Sequence, residues 1–291
     1  MKEKPIFFIG EGRSGTTIIF EAFSKHRDIA YLSNYTNRLW LPQVGFVHNL
    51  INKQGKKNQY GDVSLFNKFY PKPHESYETW EKLSGKKFRQ TFMKDMKATD
   101  REAKVVKEYI QKIIKWQNKE RFSTKLTGPP RITYLSSIYN NAYFVNVVRD
   151  PRAVVASLLN VEFWKRKERT PYWEGTFTED RFEIWDSYDK SPTALAALEL
   201  CSVYEQTLHE SKSNQSKLYT LRYEDFIDDP KHEMEKVLQF VGLEYCNNLD
   251  SYIGSTEYKN MNNRYRERLS NEEIEIIENI CRDYINEYRY L

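Results

Sequence analysis

Pro5-Ile6-Phe7-Phe8-Ile9 runs into Gly10-Glu11-Gly12-Arg13-Ser14-Gly15-Thr16-Thr17 and then into Ile18-Ile19-Phe20-Glu21-Ala22-Phe23. The first segment is a short apolar run, the second a glycine-rich turn, and the third the start of a helical pattern. Glycines let a backbone curl so that successive N–H groups converge on an anion, and the positive end of the following helix adds to the attraction. The stretch therefore predicts a strand, a phosphate-binding turn and a helix. A nucleoside-triphosphate P-loop has the pattern G-x-x-x-x-G-K-[ST]. Gly10 and Gly15 keep that spacing, but Thr16 stands in the place of the lysine and the cation has moved to Arg13 inside the turn. ATP hydrolysis is disfavoured. A phosphate or sulfate ester suits the turn.

Outward from this stretch, Ile29-Ala30-Tyr31-Leu32 follows a turn at His26-Arg27-Asp28 and completes a βαβ unit, the start of a parallel sheet. Apolar runs at 122–126, 142–148 and 218–222 predict further strands. Helices are predicted at 131–139, at 152–160 with Pro151 in the first turn, from Thr193 to about Ser211, and after Pro230. A capping box of Ser270 and Glu273 opens a last helix to about Tyr288. Residues 76–118 read as helical, with Val105, Tyr109, Ile113 and Trp116 on one face. Residues 33–51 are aromatic-rich, and Asn52 to Pro73 reads as a long surface loop. The segments 161–190, 223–230 and 244–268 read as irregular wall, acidic turn and loop. The expected fold class is α/β, a three-layer central parallel sheet flanked by helices, with helical and loop insertions.

Composition narrows the function. In 291 residues, a hydrophobic share of 40% and an aromatic share of 15% suit a globular chain. The balance of 45 basic to 41 acidic residues leaves only +4, which gives no reason to expect a nucleic-acid partner. The basic clusters at Lys53 to Lys57 and Lys165-Arg166-Lys167 read as solvated faces. Cys201, Cys246 and Cys281 lack metal-ligand or redox spacing and are expected to be reduced packing residues; no metal is expected. No apolar run approaches transmembrane length, and Met1-Lys2-Glu3-Lys4 leads straight into a strand. The expectation is a soluble, cytoplasmic protein of undetermined oligomeric state.

Ligands of an open parallel sheet bind at the carboxyl ends of its strands. Those ends carry Arg13 to Thr17, Lys125 and Thr127, Arg149, and Arg222 with Tyr223. Arg149 could hold a second phosphate with Ser157, eight residues further on. Equally, Arg149 could pair with Asp150 or Asp180 and leave Ser157 as ordinary helix surface.

Taken together these residues resemble the sulfotransferases that use 3′-phosphoadenosine 5′-phosphosulfate (PAPS). Gly10 to Thr17 resembles their 5′-phosphosulfate loop, and Arg149-Asp150-Pro151 with Ser157 resembles their 3′-phosphate site. Tyr223-Glu224-Asp225-Phe226 looks like a further family block whose tyrosine lies near the adenine. Arg264-Tyr265-Arg266 and Leu269 resemble the basic loop that closes over the cofactor. The resemblance implies cofactor contacts at Gly12, Arg13, Ser14, Gly15, Thr16, Thr17, Arg149, Ser157, Tyr223, Arg264 and Arg266, and 3′,5′-adenosine bisphosphate as product. It also implies one domain over 1–291, with 33–120 and 160–190 as acceptor-side insertions.

The implied reaction is sulfuryl transfer from PAPS to a hydroxyl or amine of a small-molecule or glycan acceptor. Such transfer needs positioning, neutralised charge on the departing phosphate and a base for the acceptor proton. Arg13 would stabilise the leaving group, and Lys125 matches a family lysine that touches the bridging oxygen or the sulfuryl group. Cytosolic family members read Lys-Thr-His here and use the histidine as base, whereas this chain reads Lys125-Leu126-Thr127. Glu162 is the preferred substitute base, with His48, Asp62, His74 and Glu75 as alternatives. The aromatic residues of the variable segments suggest a carbohydrate or glycoconjugate acceptor. A P-loop-type nucleotide kinase and a non-catalytic nucleotide-binding adaptor are the rival readings.

Overall fold

The computed structural model describes residues 4–46, 71–165 and 169–290. Five strands, β1 (Ile6–Gly10), β2 (Ile29–Tyr31), β3 (Arg121–Thr127), β4 (Tyr143–Val148) and β5 (Lys217–Arg222), form one sheet in the order β2-β3-β1-β4-β5. All neighbours are parallel, and Gly10 lies opposite Thr127 in the register of β1 and β3. Side chains alternate across a strand, so the wholly apolar β1 feeds two cores at once. Ile6 and Phe8 pack with helices Thr16–Phe23 and Pro230–Val241, while Phe7 and Ile9 pack with helices Tyr77–Ser84, Asp100–Gln117 and Ile132–Ile138. A third core joins helix Pro151–Leu158 to the long helix Pro192–Ser213 and the C-terminal helices Asn271–Ile280 and Arg282–Tyr288. The α/β architecture is the one expected, and every predicted strand is present. Among the described residues no helix is long and apolar enough to cross a membrane.

The topology places the site. The connection leaving β1 packs on one face of the sheet, whereas those leaving β3 and β4 pack on the other. Adjacent strands whose connections part in this way open a crevice at their carboxyl ends. The glycine turn, Lys125 and Arg149 all lie there.

Several helical boundaries differ from expectation. The stretch 76–118 is three helices, Tyr77–Ser84, Lys87–Gln90 and Asp100–Gln117, the first ending at Gly85. The buried face of the last one is Val106, Tyr109, Ile110, Ile113 and Ile114; Val105 and Trp116 are exposed. Alternative apolar stripes one residue apart fit a 3.6-residue period almost equally well, and packing against β2 and β3 selects between them. Helices also occupy Glu179–Ser187, Tyr223–Asp228 and Asn247–Ser255, where irregular chain was expected. The last helix breaks at Cys281.

Candidate active site

The glycine turn meets the first helix through Gly15, which is its N-cap, has φ +88°, and offers no side-chain cap to the first-turn N–H groups. A Cβ there would lie 2.3 Å from the Tyr223 ring, so glycine is required both by conformation and by contact. Uncapped N–H groups at a helix start are free to meet an anion. Lys125 reaches over from β3, its Nζ donating to Thr17 Oγ1 at 2.5 Å. Beneath the turn, Glu11 accepts the Gly12 N–H at 2.7 Å through Oε1, while Oε2 is buried without a hydrogen-bond partner. Burial, followed by the charge of Glu199, pushes the Glu11 carboxyl up to about 8; the Gly12 bond and Arg131 oppose the shift.

The β4 end is tied to this turn. Arg13 Nε donates to Ser157 Oγ at 2.9 Å, and Arg149 Nη1 donates to the Arg13 carbonyl at 3.0 Å. Arg149 Nε donates to Asn262 Oδ1 at 2.8 Å, and its guanidinium lies 4.3 Å from the centre of the Tyr223 ring. The two carboxylates considered as partners for Arg149 are engaged elsewhere or exposed. Asp150 takes Arg152 at 2.9 Å, and Asp180 sits on the exposed start of helix Glu179–Ser187.

On the β3 side, Glu75 Oε1 lies 3.4 Å from Lys125 Nζ and accepts from Thr127 Oγ1 at 2.9 Å. An antiparallel bridge between Ser33 and Pro73 brings Glu75 there, with the His74 N–H donating to the Leu32 carbonyl at 2.9 Å. Tyr77 Oη then donates to the Thr127 carbonyl at 2.6 Å. One residue beyond Thr127, Trp173 lies against Gly128, where a Cβ would come within 2.2 Å of the indole ring. Phe92, Tyr172 and Phe163 extend this aromatic wall. Glu199 anchors the wall to the long helix, accepting from Trp164 Nε1 at 3.2 Å and from the Tyr172 N–H.

Residues 5–247 match the model of a family described as the sulfotransferase family. This chain belongs to the sulfotransferase family. Among solved structures it resembles sulfotransferase STF9 from Mycobacterium avium, with a TM-score of 0.61 and 15% identity over 98% of this chain and 77% of that one. Sulfotransferase STF1 from Mycobacterium tuberculosis gives 0.50 and 14% identity over 92% of this chain and 76% of that one. Identities this low speak for the fold. No curated protein sequence matches.

Within this sulfotransferase, Arg13, Ser157, Arg149 and Tyr223 form one connected group, and Lys125 joins Thr17 to Glu75. Arg264 and Arg266 are exposed on the 3₁₀ turn Asn262–Glu267, whose first residue is the one in contact with Arg149. Glu162 lies exposed on the four-residue helix Glu162–Lys165. His74 is exposed, with Nδ1 accepting the Ser76 N–H, while His48 and Asp62 lie outside the described residues. Sequence reasoning gave no role to Asn262 or to the Glu224 side chain, and it named Glu75 only as an alternative to Glu162. The placement of Asn262, Glu224 and Glu75 depends on contacts between distant segments, for which the linear sequence carries no spacing signal.

Proposed function

We propose that this sulfotransferase uses PAPS and transfers its sulfuryl group to a hydroxyl or amine of a carbohydrate or glycoconjugate. One observation carries the reading: Arg13 spans both halves of the site, its Nε on Ser157 Oγ at 2.9 Å and its carbonyl on Arg149 Nη1 at 3.0 Å. Two anion-binding points joined through one residue suit a nucleotide with phosphate at each end of its ribose. The fit is supported by Gly12, where an added Cβ would meet nothing within 4 Å, so the turn is open to a ligand. It is supported also by Arg149, whose hydrogen bonds go to neutral oxygens and leave its charge for an anion.

When bound, PAPS would supply the sulfuryl group and leave 3′,5′-adenosine bisphosphate behind. The turn N–H groups with Thr16 and Thr17 would hold the 5′ end, Arg149 and Ser157 would hold the 3′-phosphate, and Tyr223 would line the nucleotide side. Lys125, fixed between Thr17 and Glu75, places positive charge where the leaving oxygen becomes negative. We take Glu75 as the base in preference to Glu162, because of these two carboxylates it alone touches Lys125 and Thr127. Its carboxylate receives the proton of the acceptor hydroxyl as the new S–O bond forms. The wall of Trp173, Tyr172 and Phe163 beside it supports an acceptor with a flat apolar face, such as a sugar ring.

Calorimetry with 3′,5′-adenosine bisphosphate against ATP–Mg²⁺ tests the donor. Bisphosphate binding should exceed ATP binding; tight ATP binding with no response to the bisphosphate would favour the kinase reading. Labelled-sulfate transfer into a glycan library separates an enzyme from an adaptor.

A further inference from the structure

We propose that Asn262, held in place by Glu224, is the positioning residue that aims Arg149 at the 3′-phosphate and latches the Asn262–Glu267 turn over the sheet end. The inference rests on the PAPS reading above and deepens it. Arg149 is 8% exposed and presents a planar set of donors whose direction matters as much as their charge. Nε is committed to Asn262 Oδ1 and Nη1 to the Arg13 carbonyl, while the Tyr223 ring supports one flat face. Nη2 has no hydrogen-bond partner among the described residues. A guanidinium fixed at two nitrogens and one face can aim the third at a ligand with little freedom left to lose.

The residue type at 262 is the informative feature. An aspartate or glutamate there would form an ion pair with Arg149 and cancel the charge that a phosphate needs. An amide orients the guanidinium and leaves its charge intact. The orientation of that amide is itself dictated, because Nδ2 donates to Glu224 Oε1 at 2.5 Å while Oδ1 faces Arg149. A flipped amide would set donor against donor and acceptor against carboxylate. Glu224 Oε1 also accepts the Asp150 N–H at 3.0 Å, which ties the start of helix Tyr223–Asp228 to the start of helix Pro151–Leu158. The turn is held a second time just upstream, where Tyr223 Oη donates to the Lys259 carbonyl at 3.2 Å. Arg264 and Arg266 belong to the same turn, so the latch also fixes where those cations stand.

The test compares adenosine 3′,5′-bisphosphate with adenosine 5′-monophosphate by calorimetry on the full chain. Wild type should prefer the bisphosphate; equal affinities would overturn the PAPS reading and this inference with it. Asn262→Ala should lower bisphosphate affinity about tenfold or more, the scale of one hydrogen bond to a charged group, and leave monophosphate affinity unchanged. Asn262→Asp should lose at least as much at neutral pH, by pairing with Arg149. Glu224→Gln should keep the wild-type ratio, since its amide oxygen can accept the same two N–H groups. Given a bisphosphate-preferring wild type, an unchanged ratio in both Asn262 variants overturns the positioning role alone. Equal losses for both nucleotides would overturn it too, by showing that Asn262 merely supports the fold.

Discussion

The proposed nucleotide side of the sheet edge and its proposed acceptor side are fastened in different ways. On the nucleotide side, the Gly10–Thr17 turn, Arg149 and Tyr223 begin within a residue or two of a strand end and interlock through a backbone carbonyl, a stacked ring and the Asn262 amide. On the acceptor side, Glu75 and Trp173 ride on segments inserted between strands. Isolated bridges at Ser33–Pro73 and Thr91–Glu174, the Tyr77 hydroxyl, the Glu199 carboxylate and the core packing of Trp80 and Leu83 fasten those segments. Groups at a strand end inherit the rigidity of the ladder. Inserted segments rest on isolated bridges and side-chain packing rather than on a continuous ladder. The lesson is separability, with Lys125 touching both regions through Thr17 and Glu75.

The largest effect should come from Glu75→Gln. Removal of the proposed base should lower kcat about 10²- to 10⁴-fold. Bisphosphate affinity, read by calorimetry, should hold; a parallel loss of affinity would break the division between the two regions. Gly128→Ala should be next. Its backbone has φ +79° and the new Cβ would sit 2.2 Å from Trp173, so the ring must shift. We expect a stability loss of about 1–3 kcal/mol in denaturant titration and a raised acceptor KM, with donor KM unchanged.

Glu11→Gln, beside the turn, should act on the pH dependence of stability rather than on turnover. The folded protein holds a proton on Glu11 up to about 8, whereas the unfolded chain releases it from the ordinary value of 4.5. The folded state therefore binds more protons in that window, and its stability should fall as pH rises from 4.5 towards 8, then level off. Thermal melts across this range should show a shallower decline for the glutamine variant. An identical pH profile would show that Glu11 ionises normally beneath the turn.

Much of the fold was legible because the decisive signals are local. The run 6–10, the glycine spacing of 10–15 and the apolar runs of β3 and β4 each state their conformation without reference to partners. Helix phase was less legible: Val105 and Trp116 lie one residue from the true buried stripe of helix Asp100–Gln117, and only packing chooses the stripe. Cys201 and Cys281 have no redox spacing in the chain, yet their sulfurs stand 3.5 Å apart across two helices.

The sequence by itself determined a parallel α/β sheet with an anion-binding turn after its first strand, because strand and turn propensities act over a few neighbouring residues. Only the tertiary structure decided that Arg13 contacts both Ser157 and Arg149, that Asn262 rather than a carboxylate faces Arg149, and that Glu75 stands beside Lys125. Those choices arise where segments far apart in the chain converge, Arg149 and Asn262 being 113 residues apart, and the distances between such segments are fixed by core packing.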